Sequence, residues 1–399
     1  MSEMETVLRI AAKGDGVTES GRHIAGAVTG DRIDASGTIE PGPHHQTPPC
    51  RHFGTCGGCQ LQHADDEALR QFVTERVAFA AQSQDIAVGE LQPTHLSPPR
   101  SRRRASLHAL STAKGAVLGF REGRSNRIVD MRECHILDPR LFALVAPLRK
   151  LIATHAGKGP VDISLTLADR GVDCLLKGFV AEGLAATEAL LDFAREHQLA
   201  RLAVDQGYGV ETVWEPEPAT ITLGNVPVGL PANAFLQPTA EGEQVLVEDA
   251  KAFLEGAATI ADLFAGLGTF AFSLANPAKA LAVEAARDAF FACKSAANAR
   301  GIPVHTLHRD LFRNPLTAEE ISRFGAILLD PPRAGAREQV AQIAQSSASR
   351  VAYISCNPSS WARDAKTLVD AGFRLEKLRP VGQFRWSTHV ELASLFARD

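Results

Sequence analysis

Residues 259–271 read TIADLFAGLGTFA. The run opens apolar, passes through a glycine turn, and becomes apolar again. That order predicts a strand, a tight loop and a helix. Gly266 and Gly268 let the backbone approach a ligand closely. Gly266-x-Gly268-x-x-Ala271 also meets the relaxed dinucleotide fingerprint, so NAD and S-adenosylmethionine both stand as ligands at this point. The flanking chain repeats the pattern. KALAVEA reads as a strand, and RDAFFACKSAANARG as a helix closed by Gly301. VHTLHRD, FGAILLDPP and RVAYISCNP read as strands. Strands spaced by helices predict a parallel, doubly wound sheet from about residue 240. Such sheets bind ligands at the carboxyl ends of their strands.

Acids stand at these ends. Asp262 precedes the glycines, where it is expected to help position the methionine part of a donor. Glu284 ends LAVEA and is placed to accept from ribose hydroxyls. Asp310 ends HTLHRD and faces the adenine edge. Asp330 ends a strand in LLDPPRAG, which puts a carboxylate and a rigid turn at the centre of the site. A nicotinamide dehydrogenase has no need of that last feature. Singly, each acid reads as a helix cap or a surface residue. Four at successive strand ends favour S-adenosylmethionine.

The last parallel strand raises the question of chemistry. VAYISCNPSS, residues 351–360, ends by presenting Cys356 between a serine and an Asn-Pro turn. Alone, Cys356 reads equally well as a small buried residue. A methyl donor, a strand-end thiol and a C-terminal acid together are what methylation of a pyrimidine at carbon 5 requires. That carbon is a poor nucleophile. A thiolate adding to carbon 6 makes an enolate that attacks the sulfonium methyl, and a base then removes the carbon 5 proton. GQFRWSTHVELASLF supplies the candidate base Glu391, which otherwise reads as an edge-strand residue.

DLFAGLGTF, LLDPPRAG, SCNP and HVE, in this order, resemble the RNA 5-methyluridine methyltransferases, the family that methylates uracil carbon 5 in tRNA and 23S rRNA. The resemblance covers the chain from about residue 50 onward, and the start more weakly. It implies Cys356 as nucleophile and Glu391 as proton-abstracting base. Gln237, in NAFLQP, matches the family's Phe-x-Gln element, which contacts the donor. Phe264, Thr269, Glu284, Asp310 and Asp330 match other donor-contacting positions, and Asp330 is expected also to face the uracil. Thr269 stands where some members carry Asn, and Ala265 where many carry Cys.

The chain has seven cysteines. Three form Cys50-x5-Cys56-x2-Cys59, in CRHFGTCGGCQLQH, and Cys134 in MRECHIL is the candidate fourth ligand. Four thiolates suit zinc, although only one pair has zinc-like spacing. The three-plus-one arrangement suits a [4Fe–4S] cluster better, and it is not the radical-type spacing. The 23S rRNA branch of the resembled family carries such a cluster and the tRNA branch lacks it. The resemblance therefore implies the cluster, with a structural role, and 23S rRNA as the substrate. Cys174 and Cys293 fit no motif and read as packing residues.

Length and composition frame this reading. At 399 residues, two or three domains are expected. Hydrophobic and charged fractions of 45% and 22% are those of an ordinary globular chain. The sequence lacks both an apolar run long enough for a membrane span and a secretory leader, so a cytoplasmic enzyme is expected. The expected fold is α/β. A TRAM-like β module, lean for a whole barrel, covers residues 1–45. An α+β iron–sulfur and RNA-binding domain covers 46–235. A Rossmann-like S-adenosylmethionine-dependent methyltransferase domain covers 236–399. Net charge is −4, yet nine Lys/Arg against two acids crowd residues 100–132. A charge run is usually a solvated face; beside a methyltransferase it reads as RNA contact. The target uridine is expected to flip out of its stack. A monomer without an obligate protein partner is expected.

Other readings are weaker. Amino-group methyltransferases follow Asp/Asn-Pro-Pro with an aromatic, whereas Arg333 follows here. RNA cytosine-5 enzymes carry their cysteine in a different motif. A tRNA uridine enzyme and an iron–sulfur RNA-binding protein without catalysis remain as alternatives. Cys356→Ala separates the last, because binding alone survives it.

Overall fold

A computed structural model describes residues 4–113, 115–123, 125–157 and 159–399. Lys114 and Arg124 of the basic stretch lie outside the described residues.

The C-terminal half forms most of a nine-stranded sheet. Val304–His308, Lys279–Glu284, Thr259–Leu263, Ala326–Leu329 and Arg350–Ser355 lie side by side and parallel. The three central strands, Thr259–Leu263, Ala326–Leu329 and Arg350–Ser355, are buried on both faces, as a sheet covered by helices requires. Strand order reverses between Thr259–Leu263 and Ala326–Leu329, and the crevice at such a switch point receives ligands. Glu391–Ala397 joins antiparallel to Arg350–Ser355, and Arg374–Gly382 joins antiparallel to it in turn.

The sheet then recruits chain from far upstream. Val88–Leu91 and His95–Leu96 pair parallel with Arg374–Gly382 and cover most of that edge. Helix Asp66–Gln82 starts at Asp65, whose side chain accepts from Ala68 N. It buries Phe72, Val73 and Val77 in the same core as Trp361, Leu368 and Phe373. Residues 66–96 thus pack with the C-terminal sheet.

A second, six-stranded sheet runs Val210–Trp214, Arg201–Asp205, Gly171–Lys177, Pro160–Ala168, Arg104–Thr112 and Gly115–Gly119. Helices Val145–His155 and Gly183–Glu196 bury Leu148, Ile152, Leu190 and Phe193 against it. At the N-terminus five short strands, from Glu5–Ile10 to Ile39–Glu40, enclose a small core of Val7, Ala27 and Ile33. Its edge strands, His23–Ile24 and Ile39–Glu40, do not pair with each other among the described residues, so the sheet stays open. Cys174 and Cys293 are buried packing residues. Among the described residues no helix is long and apolar enough to cross a membrane.

Candidate active site

One pocket of about 700 Å³ opens at the carboxyl ends of the parallel strands. Gln237, Phe264, Thr269, Glu284, Asp310, Asp330, Cys356 and Glu391 all line it. The topology explains the convergence. Asp330 follows Ala326–Leu329, and Cys356 follows the adjacent strand Arg350–Ser355. Glu391 begins an antiparallel strand, so its amino end lies where its neighbours have their carboxyl ends. Ser355 pairs with Leu392 and Val381 with Glu391.

Local bonds fix the catalytic end. Asn357 caps helix Pro358–Asp370, its side chain accepting from Ser359 N at 3.2 Å and donating to Arg333 O at 2.9 Å. Ser360 Oγ donates to the same carbonyl at 3.0 Å. The Asp-Pro-Pro-Arg turn and the Cys-Asn-Pro turn are thereby tied together. Cys356 stands at the amino end of that helix, where the dipole favours a thiolate. Against this, burial, Glu391 and Asp330 push its thiol up to about 11, while Arg333 pulls it down. Burial pushes Glu391 up to about 8, opposed by the hydrogen bond from Gln383. Burial, then the nearby Glu391, raises Asp330 well above the usual carboxylate range. Three acidic groups share a space that favours their neutral forms, which is how a site tunes acids and bases.

At the donor end, Glu284 braces the glycine loop. Its Oε2 accepts from Gly266 N at 2.8 Å and its Oε1 from Ala286 N at 2.5 Å. Gly268, at φ 92°, must be glycine: a Cβ there would lie 2.7 Å from Phe272 and 2.9 Å from Cys293 Sγ. Phe264 holds a left-handed φ of 67°, and its ring lies 5.4 Å from that of Phe312. Asp310 Oδ1 accepts from Phe312 N at 3.0 Å. These groups suit an adenosine moiety between aromatic faces and carboxylates, so the residues present fit S-adenosylmethionine. Asp262 does not line the pocket, contrary to expectation. It is fully buried behind the loop, and its Oδ2 accepts from Ala271 N at 2.8 Å. Burial pushes it up to about 8. Its task is to hold the first turn of helix Thr269–Leu274.

Cys50, Cys56, Cys59 and Cys134 line a second, largely enclosed pocket with Phe120 and Met131. Burial raises all four thiols, Cys59 to about 12, and neighbouring cysteines add to the rise at Cys50, Cys59 and Cys134. Among the described residues no group of three or more His, Cys, Asp or Glu side chains is drawn together closely enough to hold a metal ion. Four soft donors around one space fit an iron–sulfur cluster in kind and number.

The basic stretch divides. Arg102, Arg103 and Arg104 turn inward. Arg103 Nε donates to Gln237 O at 2.9 Å, and its guanidinium pairs with Glu243. Arg104 donates to Leu236 O at 3.2 Å and lies over the Phe235 ring. Arg102 lies over Phe384. Arg103 and Arg104 thus brace the segment carrying Gln237, and Arg102 packs on Phe384, so the guanidinium groups of all three are engaged within the fold. Arg100, Arg121, Arg127 and Arg132 are exposed, as phosphate contact requires. The sequence reading missed Gln383 and Arg103 as site residues. Gln383, the polar residue directly after Arg374–Gly382, donates to Gln237 Oε1 at 2.8 Å and to Glu391 Oε2. Its place just beyond a strand end was the available signal.

Comparison with known proteins gives concordant results. The tRNA (Uracil-5-)-methyltransferase family profile matches residues 225–399. An uncharacterised RNA methyltransferase of Zymomonas mobilis is 49% identical, over 99% of this chain and 100% of its own. The 23S rRNA (uracil(1939)-C(5))-methyltransferase RlmD of Burkholderia pseudomallei is 33% identical, over 94% of this chain and 89% of its own. In fold the chain is similar to the tRNA (uracil-54, C5)-methyltransferase of Pyrococcus abyssi, solved with S-adenosyl-L-homocysteine. The TM-score is 0.75 at 19% identity, covering 99% of this chain and 100% of that one.

Proposed function

The chain belongs to the RNA uracil-5 methyltransferase family, and from that premise we propose that it forms 5-methyluridine in 23S rRNA, with Cys356 as nucleophile and Glu391 as base. The observation that carries the mechanism is a single pocket lined both by donor-side residues and by Cys356, Asp330 and Glu391.

S-adenosylmethionine, when bound, would supply the methyl group from its sulfonium and leave as the thioether S-adenosylhomocysteine. Gln237, Phe264, Thr269, Glu284, Asp310 and Asp330 would hold it. Cys356 reacts as the thiolate, its proton given up to solvent, and its Sγ bonds to carbon 6 of the flipped uracil. The electrons of the 5,6 double bond move toward the carbonyl oxygen, so carbon 5 becomes the nucleophile that takes the methyl group. Glu391 then removes the carbon 5 proton. The double bond re-forms, the carbon 6–sulfur bond breaks, and Cys356 is released as thiolate. Arg333 stabilises that thiolate as it leaves, against the burial and the two carboxylates that disfavour it.

Cys50, Cys56, Cys59 and Cys134 are read as the ligands of a [4Fe–4S] cluster rather than zinc. Four cysteines lining one pocket support this. The cluster's role is structural. The cysteine pocket and the Burkholderia relative favour 23S rRNA, whereas the matched profile and the Pyrococcus structure carry tRNA names. The reading includes a monomeric cytoplasmic enzyme, with catalysis in residues 236–399 and RNA and cluster contact in 1–45 and 46–235.

The test is a covalent trap. Fluorine at carbon 5 does not leave as a proton does, so 5-fluorouridine RNA should stay bound to the enzyme in the presence of donor. A denaturing gel should show a shifted band with 23S rRNA, absent with Cys356→Ala. A band with tRNA alone moves the substrate to tRNA. No band with either RNA, in protein that binds donor, removes the mechanism.

A further inference from the structure

The carboxylate read as the base does not stand alone in the pocket wall. Gln383 is 2% exposed and lies between two functional side chains. Its Nε2 donates to Glu391 Oε2 and, at 2.8 Å, to Gln237 Oε1. Gln237 Nε2 donates onward to Asp330 Oδ2 at 3.2 Å. Two amides thus link the two carboxylates of the catalytic end. The chain has a direction. Both hydrogens of the Gln383 amide meet acceptor oxygens, and reversing the amide would set oxygen against oxygen at two places. Gln383 Oε1 has no hydrogen-bond partner. It is pressed instead against Gly242, where a Cβ would lie 2.6 Å from that oxygen. A buried amide that leaves its carbonyl unpaired while spending both donors on site residues is held for those donors.

We propose that Gln383 is the positioning residue of the base: its amide aims the Glu391 carboxylate at the carbon 5 proton and registers it to the donor-side Gln237. This rests on the roles given above to Cys356 and Glu391. Gln383 touches neither substrate nor donor in this role; it acts through Glu391. Proton removal is the last step but one, after the sulfur–carbon 6 bond and the methyl–carbon 5 bond have formed. Misaiming the base therefore leaves those bonds intact and delays only elimination of Cys356. Gln237 keeps its place without Gln383, because Arg103 holds its backbone carbonyl at 2.9 Å.

The experiment uses ordinary 23S rRNA transcript and donor tritiated in its methyl group. Gln383→Met keeps length and removes the donor. Turnover should fall roughly tenfold to a hundredfold, the scale of a misplaced general base. The KM for donor should hold within about threefold. A tritium-labelled protein–RNA band, absent in wild type, should accumulate on a denaturing gel. The acid limb of the pH–rate profile should move to higher pH, since the amide hydrogen bond favours ionised Glu391. Asp330 and Cys356, with Arg333 beside the latter, are the other charged or titratable groups at that carboxylate, and the substitution leaves them in place. Gly242→Ala is the second variant: it crowds Gln383 Oε1 without removing the amide and should give a weaker form of the same arrest. Wild-type turnover with no labelled band in both variants overturns the proposal. So does loss of donor binding in parallel with turnover and no band, the mark of a merely structural role. If wild type forms no adduct on 5-fluorouridine RNA, the Cys356 reading fails first, and that result is distinct from either.

Discussion

Asp262 and Glu391 are carboxylic acids that the fold removes from water, 0% and 4% exposed. Burial pushes each up to about 8. In the unfolded chain both lose their protons near pH 4. Between those values the folded state binds more protons than the unfolded one. Stability is therefore greatest below about pH 4 for these groups and falls as pH rises toward 8. Asp262→Asn keeps the acceptor for Ala271 N and removes one titration. The slope of unfolding free energy against pH, from denaturant titrations between about pH 5 and about pH 8, should become less negative by about 1.4 kcal/mol per pH unit. An unchanged slope would mean that Asp262 is ionised when folded. The sequence marked Asp262 as important but not as buried. An acid in TIADLF sits on a strand whose two faces are both covered, and only the packing tells which way it points.

Among the elements, the cysteine loop is bonded to the loop that leads into Glu391. Gln60 N and Leu61 N both donate to Trp386 O, at 2.7 and 2.9 Å. Arg102 N donates to Ile136 O, beside Cys134, while Arg103 N donates to Pro238 O, beside Gln237. A cluster joining Cys59 to Cys134 would hold both segments in register against the active site. Anaerobically purified protein should contain about four iron and four sulfide per chain. Cys134→Ser should lose most of both and speed amide exchange at Gln60 and Leu61, which report the bonds to Trp386. Stoichiometric zinc without sulfide would remove the cluster, and unchanged exchange would remove its bracing role. The glycine loop and the strand ends were legible from local pattern. The hydrogen bonds between loops were not, because they form between backbone groups that carry no residue signature.

At the scale of the whole molecule, two exposed arginines of the basic stretch are bonded through their backbones to the cysteine loop. Gly57 N donates to Arg121 O, and Arg132 N donates to His52 Nε2. Arg127 and Arg132 keep 81% and 59% of their side chains exposed despite pairing with Glu122 and Asp130. A net charge of −4 leaves this face as a local basic patch and not part of a general field. Arg127→Ala and Arg132→Ala should each weaken RNA binding and lower the steepness of log K against log salt by about 0.7–0.9. Donor binding should not change. Arg103→Ala should do the reverse. Unaltered salt dependence in the first two would move the RNA elsewhere.

By itself the sequence determined the parallel strands of the C-terminal sheet and its glycine loop, and it named residues that the fold brings to one pocket. Alternation, glycine turns and strand-end acids are local properties, and a parallel sheet brings its strand ends to one edge whatever the rest of the chain does. Only the tertiary structure decided three other things. It joined residues 66–96 to the catalytic sheet, turned Arg102, Arg103 and Arg104 inward, and set Gln383 against Glu391. Each depends on which distant surface a segment finds to bury its apolar side or satisfy its polar groups, and that choice is made by packing between segments far apart in the chain.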